Sequence, residues 1–223
     1  MSSTSNTYAK PDAFPQMVDI YGEKFLYGEI EKRGDFSLRM ITLTSNMIAL
    51  EKTRAIINGN YDEVLGLKSG DYMMLRNDKI DEVVMSDTGM ERRTNYDFVK
   101  RAHGKVLVGG LGIGMILLAL QDKECVSEIT VVEKNKDVYH LIYPYLKKHL
   151  NKKVVIVIDD VYEYHRKATG VVWDSIYFDI WNNISGDNYP EMQKLTKDYF
   201  PLLRPSSDSF ISCWREDDCR VLL

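Results

Sequence analysis

Lys105-Val-Leu-Val-Gly-Gly-Leu-Gly-Ile-Gly114 is a short valine-rich run that ends in closely spaced glycines, and an apolar run of helical composition follows from Met115. The order reads as a buried strand, a tight turn and a helix whose first N–H groups face whatever fills the turn. Glycine suits such a turn because a β-carbon would hold the backbone away from a ligand and would exclude some of the dihedrals required. A glycine-rich connection between a core strand and a core helix would look the same. The segments on either side decide what the turn is for.

Downstream, strands and helices alternate. Val106–Val108 is the first predicted strand and Ile113–Gln121 the first helix. Ile129–Val132 is the second strand, and a helix over 136–150 places Val138, Leu141, Ile142, Tyr145 and Leu146 on one face. Pro144 should kink that helix. Val154–Ile158 and Ser175–Phe178 are two further strands. A helix from Pro190 to Phe200 and a strand over Phe210–Trp214 complete the series. Near-continuous apolar strands separated by helices predict an α/β fold, a Rossmann-like doubly wound parallel sheet with helices on both faces. Such sheets bind ligands at the carboxyl ends of their strands, where strand order reverses.

Acidic residues stand at three of those ends. Glu133 closes the second strand, nineteen residues beyond Gly114. Asp159-Asp160 closes the third strand and Asp179 the fourth. A single acid at a strand end is commonly a solvated residue, but three in succession after a glycine turn point to a site. Glu133 can accept two hydrogen bonds from the hydroxyls of a ribose lying over the turn.

Upstream of Gly104 the pattern differs. Residues 1–15 are polar, contain two prolines and read as a flexible tail. Residues 16–103 read as a β-rich subdomain and 104–223 as the Rossmann-like domain. In the subdomain, Gly34-Asp35 punctuates one hairpin within Lys24–Thr44, and Asn77-Asp78-Lys79 a second between Tyr72–Arg76 and Glu82–Met85. Ser45-Asn46 should cap a helix from Met47 to Asn58, with Gly59 at its end. Ser86–Asn95 reads as a polar connection to a short helix over Tyr96–Arg101. Arg92 and Arg93 read as an exposed face, with an anion clamp as the alternative.

The 223 residues are 44% apolar and 28% charged, enough for a substantial core. A net charge of −4 gives no support to a nucleic-acid-binding face. Three cysteines without a paired framework suit a reducing, cytoplasmic setting, and four scattered histidines predict no metal site. The start has no signal-peptide pattern, and the longest apolar stretch is too short to span a bilayer, so no membrane partner is expected.

The dinucleotide fingerprint requires glycine or alanine where this chain has Met115. The pattern Gly110-x-Gly112-x-Gly114 instead resembles the first motif of class I S-adenosylmethionine-dependent methyltransferases, and later motifs follow in the same order through Trp214. The resemblance implies an S-adenosylmethionine cofactor, with Gly110, Leu111, Gly112 and Gly114 around its methionine part and Glu133 on its ribose. Lys134 would border the ribose site, Asp160 would accept from the adenine amino group, and the Val161 backbone would meet the ring. Asp179 would lie nearest the reactive sulfonium, as a catalytic group or a binding contact. Trp181 would stack on a flat ligand or fill the core.

The sequence departs from that pattern twice. Val108 stands where such enzymes commonly carry an acid, and the chain ends nine residues after Trp214, too few for their closing antiparallel hairpin. The valine and the β-rich segment ahead of the domain are similar to spermidine synthases, although Ile113 and Asp179-Ile-Trp-Asn-Asn183 differ from their signatures. Met85-Ser-Asp-Thr88 and Asp179-Ile-Trp181 are similar to methyltransferase-like proteins of bacteria and phages. Three readings follow: a methyltransferase acting on a small molecule or protein, an aminopropyltransferase, or a non-catalytic binding module acting through oligomerisation, with a homodimer left open.

Overall fold

The computed structural model describes residues 13–58, 64, 66–151 and 153–223. Helix α1 (Met17–Tyr21) and a 3-10 turn over Glu23–Tyr27 open the described chain. The first hairpin joins β1 (Ile30–Arg33) to β2 (Phe36–Leu43), with Gly34-Asp35 at the turn. The strand content expected from Lys24 therefore begins later, because Lys24–Tyr27 is helical. Helix α2 (Ser45–Asn58) follows, and Thr44 rather than Ser45 caps it: Thr44 Oγ1 accepts from the Met47 N–H at 3.3 Å. The expected terminator, Gly59, lies outside the described residues. Strands β3 (Gly70–Asn77) and β4 (Glu82–Ser86) complete an antiparallel sheet of order β1-β2-β3-β4.

The polar stretch after β4 is not a connection. Helix α3 begins at Gly89 and runs to Arg101. Beyond it, β5 (Gly104–Gly109), α4 (Met115–Gln121), β6 (Val126–Glu133), α5 (Lys136–Leu146), β7 (Val154–Ile158) and α6 (Val161–Lys167) alternate. Strand β8 (Ser175–Phe178), α7 (Asn188–Tyr199), β9 (Phe210–Cys213) and α8 (Glu216–Val221) finish the chain. Helix α5 ends two residues past Pro144 instead of reaching 150. Helices α6 and α8 are additions to the sequence reading.

All pairings in the second sheet are parallel and its order is β7-β6-β5-β8-β9. Strand order reverses between β5 and β8. Side chains alternate across this sheet as the pleat requires. Val106 and Val108 enter a core shared with α3, α4, α5 and the antiparallel sheet, whereas Leu107, Ile176 and Phe178 enter a second core against α6 and α7. The fold is thus a Rossmann-like doubly wound sheet with a β-rich subdomain packed on one face.

The subdomain is anchored by a buried ion pair. Asp87 is fully buried and accepts from the backbone N–H of Met17 and Met73, at 3.2 and 2.7 Å, and from Arg92 Nη2 at 3.1 Å. Arg92 in turn donates to the carbonyls of Asp87, Phe14 and Pro15. It is therefore neither an exposed residue nor an anion clamp. Phe14 is buried, so the chain is already held ahead of residue 15, where the flexible tail was expected to end. Residues 1–12 lie outside the described residues.

Candidate functional site

A cavity of about 480 Å³ opens between the carboxyl end of the parallel sheet and the last strands of the antiparallel sheet. Its size falls within the range of small-molecule sites. The floor is made by residues at and beyond the strand ends: Gly110–Gly112 after β5, Glu133–Asn135 at the end of β6, Asp160–Tyr162 after β7, Asp179–Asn182 after β8 and Trp214 after β9. The roof comes from Phe36, Leu75, Asn77, Val83–Ser86, Met90 and Glu91.

The glycine turn lies against the reversal of strand order. The Asp179 N–H donates to the Gly109 carbonyl at 2.9 Å, and Gly110 has φ 101°. A β-carbon on Gly110 would collide with the Asp179 carbonyl oxygen, and one on Gly112 with the Met85 thioether of the roof. These glycines thus admit close protein neighbours. Gly114 is not brought to the cavity. It caps α4, and its Cα faces the Leu146 side chain, which a β-carbon would meet at 2.5 Å.

Glu133 is buried beneath the turn. Its Oε2 accepts from the Leu111 N–H at 2.9 Å and its Oε1 from the Asn135 N–H at 2.7 Å. Burial pushes its carboxyl above the usual value, and these backbone donors offset part of the shift. Each oxygen keeps a further lone pair for a donor in the cavity.

Asp160 and Asp159 face different ways. Asp160 borders the cavity as the N-cap of α6, accepts from the Tyr162 N–H at 3.0 Å, and pairs with Lys134 at 2.8 Å. Burial raises its carboxyl, but Lys134 and the Tyr162 N–H more than offset this and leave it below the usual value. Asp159 pairs with Lys167 at 2.6 Å and does not border the cavity. Val161 is buried beside Asp160 in the cavity wall. Trp181 is half-buried in the wall, where it packs against the second core, and its Nε1 donates to Glu191 Oε2 at 3.1 Å.

Glu91 is the cavity residue that the sequence reading passed over. Asn95 Oδ1 accepts from the Tyr177 hydroxyl at 2.7 Å, and Phe98 stacks on the Tyr177 ring with centroids 4.2 Å apart. These contacts fix α3 against β8. Glu91 lies one helical turn before Asn95, and Asp179 lies two residues beyond Tyr177, so both carboxylates reach the same cavity. Burial pushes both carboxyls up, Asp179 to about 7 and Glu91 to about 8, and the Asp179 charge contributes to the Glu91 shift. Two carboxyls that interact in this way titrate as a pair. The sequence carried one sign of this helix: Thr88-Gly-Met-Glu91 has the spacing of a capping box.

A glycine turn at the reversal of a five-stranded parallel sheet ordered third, second, first, fourth, fifth is now established. This is the strand order of a Rossmann-like doubly wound sheet. Among solved structures the chain is similar to spermidine synthase from Thermotoga maritima, at 17% identity and a TM-score of 0.44, over 59% of this chain and 45% of that one. It is also similar to the SAH-bound methyltransferase PaMTH1 of Podospora anserina, at 20% identity and a TM-score of 0.44, over 58% of this chain and 53% of that one. A third similar structure is the N-methyltransferase NodS from Bradyrhizobium japonicum WM9, at 14% identity and a TM-score of 0.41, over 55% of this chain and 66% of that one. The chain spans about half the length of the first two. No protein-family model matches the sequence, and no curated protein matches it. Among the described residues no helix is long and apolar enough to cross a membrane, and no group of three or more His, Cys, Asp or Glu is placed to hold a metal ion.

Proposed function

We propose that this protein is an S-adenosylmethionine-dependent methyltransferase acting on a small molecule or protein. The observation that carries the reading is the gathering of Gly110–Gly112, Glu133, Asp160 and Asp179 around one cavity at the reversal of strand order. The donor and acceptor chemistry fits an adenosyl group. Glu133 has lone pairs left for ribose hydroxyls, and the Asp160 carboxylate can accept from an adenine amino group beside Val161. Val108 is buried in the core, so β5 itself offers no carboxylate to the site.

The cofactor, when bound, supplies a methyl group on positively charged sulfur that needs no further activation. The protein's task is then to align the acceptor and exclude water. Phe36, Leu75, Met85 and Met90 in the roof and Trp214 in the floor supply apolar walls for that purpose. Asp179, with its carboxyl raised toward neutrality, is suited to take a proton from the acceptor.

The antiparallel sheet over the cavity also suits the second reading, aminopropyl transfer. Calorimetric titration with S-adenosylmethionine, its decarboxylated form and S-adenosylhomocysteine separates the two. Binding of the first and last supports methyl transfer, and preference for the decarboxylated form supports aminopropyl transfer. Absence of binding by all three sinks both readings. In Asp160→Ala, adenosyl binding should weaken by about 1.5–3 kcal/mol; an unchanged affinity would remove Asp160 from the adenine site.

A further inference from the structure

Glu91 and Asp179 form a pair that the adenosyl contacts above leave unexplained. Glu91 is only 9% exposed, and Asp179 is half-buried in the cavity wall. Among the described residues no hydrogen-bond donor reaches the Asp179 carboxylate, although its backbone N–H is bonded to Gly109. Glu91 is faced by the Ser86 N–H, the Asp179 carboxylate and the Arg215 charge. Arg215 is itself engaged with Asp218 at 2.6 Å, and the nearby Tyr177 hydroxyl is committed to Asn95. Lys134, the cationic residue of the cavity wall, is paired with Asp160. Met85, Met90 and Trp214 line the same cavity.

Two carboxylates so placed are costly to ionise unless a cation comes between them. A hydroxyl ligand would leave their charge uncompensated, and an anionic ligand would add repulsion. A primary ammonium group brings one positive charge and three N–H donors, enough to bridge both carboxylates.

We propose that Glu91 and Asp179 form a subsite for a primary ammonium group, carried either by the amino-acid tail of the cofactor or by an amine acceptor. The assignment rests on the adenosyl reading of the same cavity. It gives α3 and the roof a role in recognition as well as in closure. An arriving ammonium group favours the doubly ionised pair, so binding at neutral pH releases a proton.

Calorimetry on the full chain tests this with S-adenosylhomocysteine, with 5′-methylthioadenosine, which lacks the amino-acid tail, and with phenethylamine against 2-phenylethanol. If the tail is the source, Glu91→Gln weakens S-adenosylhomocysteine at least tenfold and leaves 5′-methylthioadenosine unchanged. If an acceptor is the source, both nucleosides keep their affinity, while phenethylamine binds wild type better than 2-phenylethanol does and loses that advantage in Glu91→Gln. In either case, titrations of wild type in two buffers of different ionisation enthalpy show proton release that the variant lacks. The proposal is overturned if neither ammonium compound depends on Glu91, or if binding releases no proton. Should Glu91→Gln fail to fold, Asp179→Asn and the wild-type proton release carry the same decision. Failure of 5′-methylthioadenosine to bind wild type would count against the adenosyl reading alone, and the phenethylamine comparison would still decide the pair.

Discussion

The floor and the roof of the cavity are built on different plans. In the floor, each carboxylate ends a strand, as Glu133 does, or follows one by one or two residues, as Asp179 and Asp160 do, so the sheet fixes its position and the sequence marks it. In the roof, Met85, Met90 and Glu91 lie within a strand and a helix that also carry the packing of the subdomain. The floor is thus set by hydrogen-bonded strand register. The roof depends on a few long-range contacts: the Met17 N–H with Asp87, Tyr177 with Asn95, and Trp214 Nε1 with Thr94 Oγ1 at 3.0 Å. A site assembled this way can keep one wall while the other is altered, and substitutions should separate the two.

The largest effect is expected at the anchor of the roof. Asp87→Ala strands the buried Arg92 charge and two backbone donors, and should lower stability by roughly 3–5 kcal/mol in urea denaturation. A loss below about 1 kcal/mol would mean that the roof does not depend on this network.

The glycine turn offers a sharper contrast. A β-carbon on Gly110 meets the Asp179 backbone, which is held by the ladder, so Gly110→Ala should cost about 3 kcal/mol. At Gly112 the obstacle is the flexible end of Met85, and the cost should be nearer 1–2 kcal/mol, from the left-handed backbone alone. Equal losses at the two positions would erase the distinction between a rigid floor and an adaptable roof.

A smaller effect is expected from pH. Because burial raises the Glu91 and Asp179 carboxyls, the native state binds more protons than the unfolded chain between their ordinary values and about 8. The pair therefore lowers stability as pH rises through that window. Glu91→Gln should gain steadily on wild type from pH 5 to pH 8 in parallel denaturation series. A constant difference across that range would show that Glu91 is ionised throughout.

The two walls also differ in how legible they were. Strands β5 to β9 announced themselves as apolar runs, and their ends gave Glu133, Asp160 and Asp179. Helix α6 escaped notice because Val161-Tyr-Glu-Tyr-His165 is rich in β-branched and aromatic residues with weak helix propensity; the Asp160 cap was its one sign. Glu91 escaped because Ser86–Asn95 is polar throughout, and polar composition reads as a connection. Its burial follows from the Asn95–Tyr177 contact across 82 residues, which no local pattern could announce. Arg92 was misjudged for the same reason: its partners at Phe14 and Pro15 lie far away in sequence.

A crystal structure of the protein with S-adenosylhomocysteine tests the central claim most directly. The account predicts the nucleoside in the cavity, with its adenine amino group on Asp160, its ribose hydroxyls on Glu133 and its amino-acid tail over Gly110–Gly112. A ligand bound elsewhere, or a cavity left empty at saturating concentration, would contradict it.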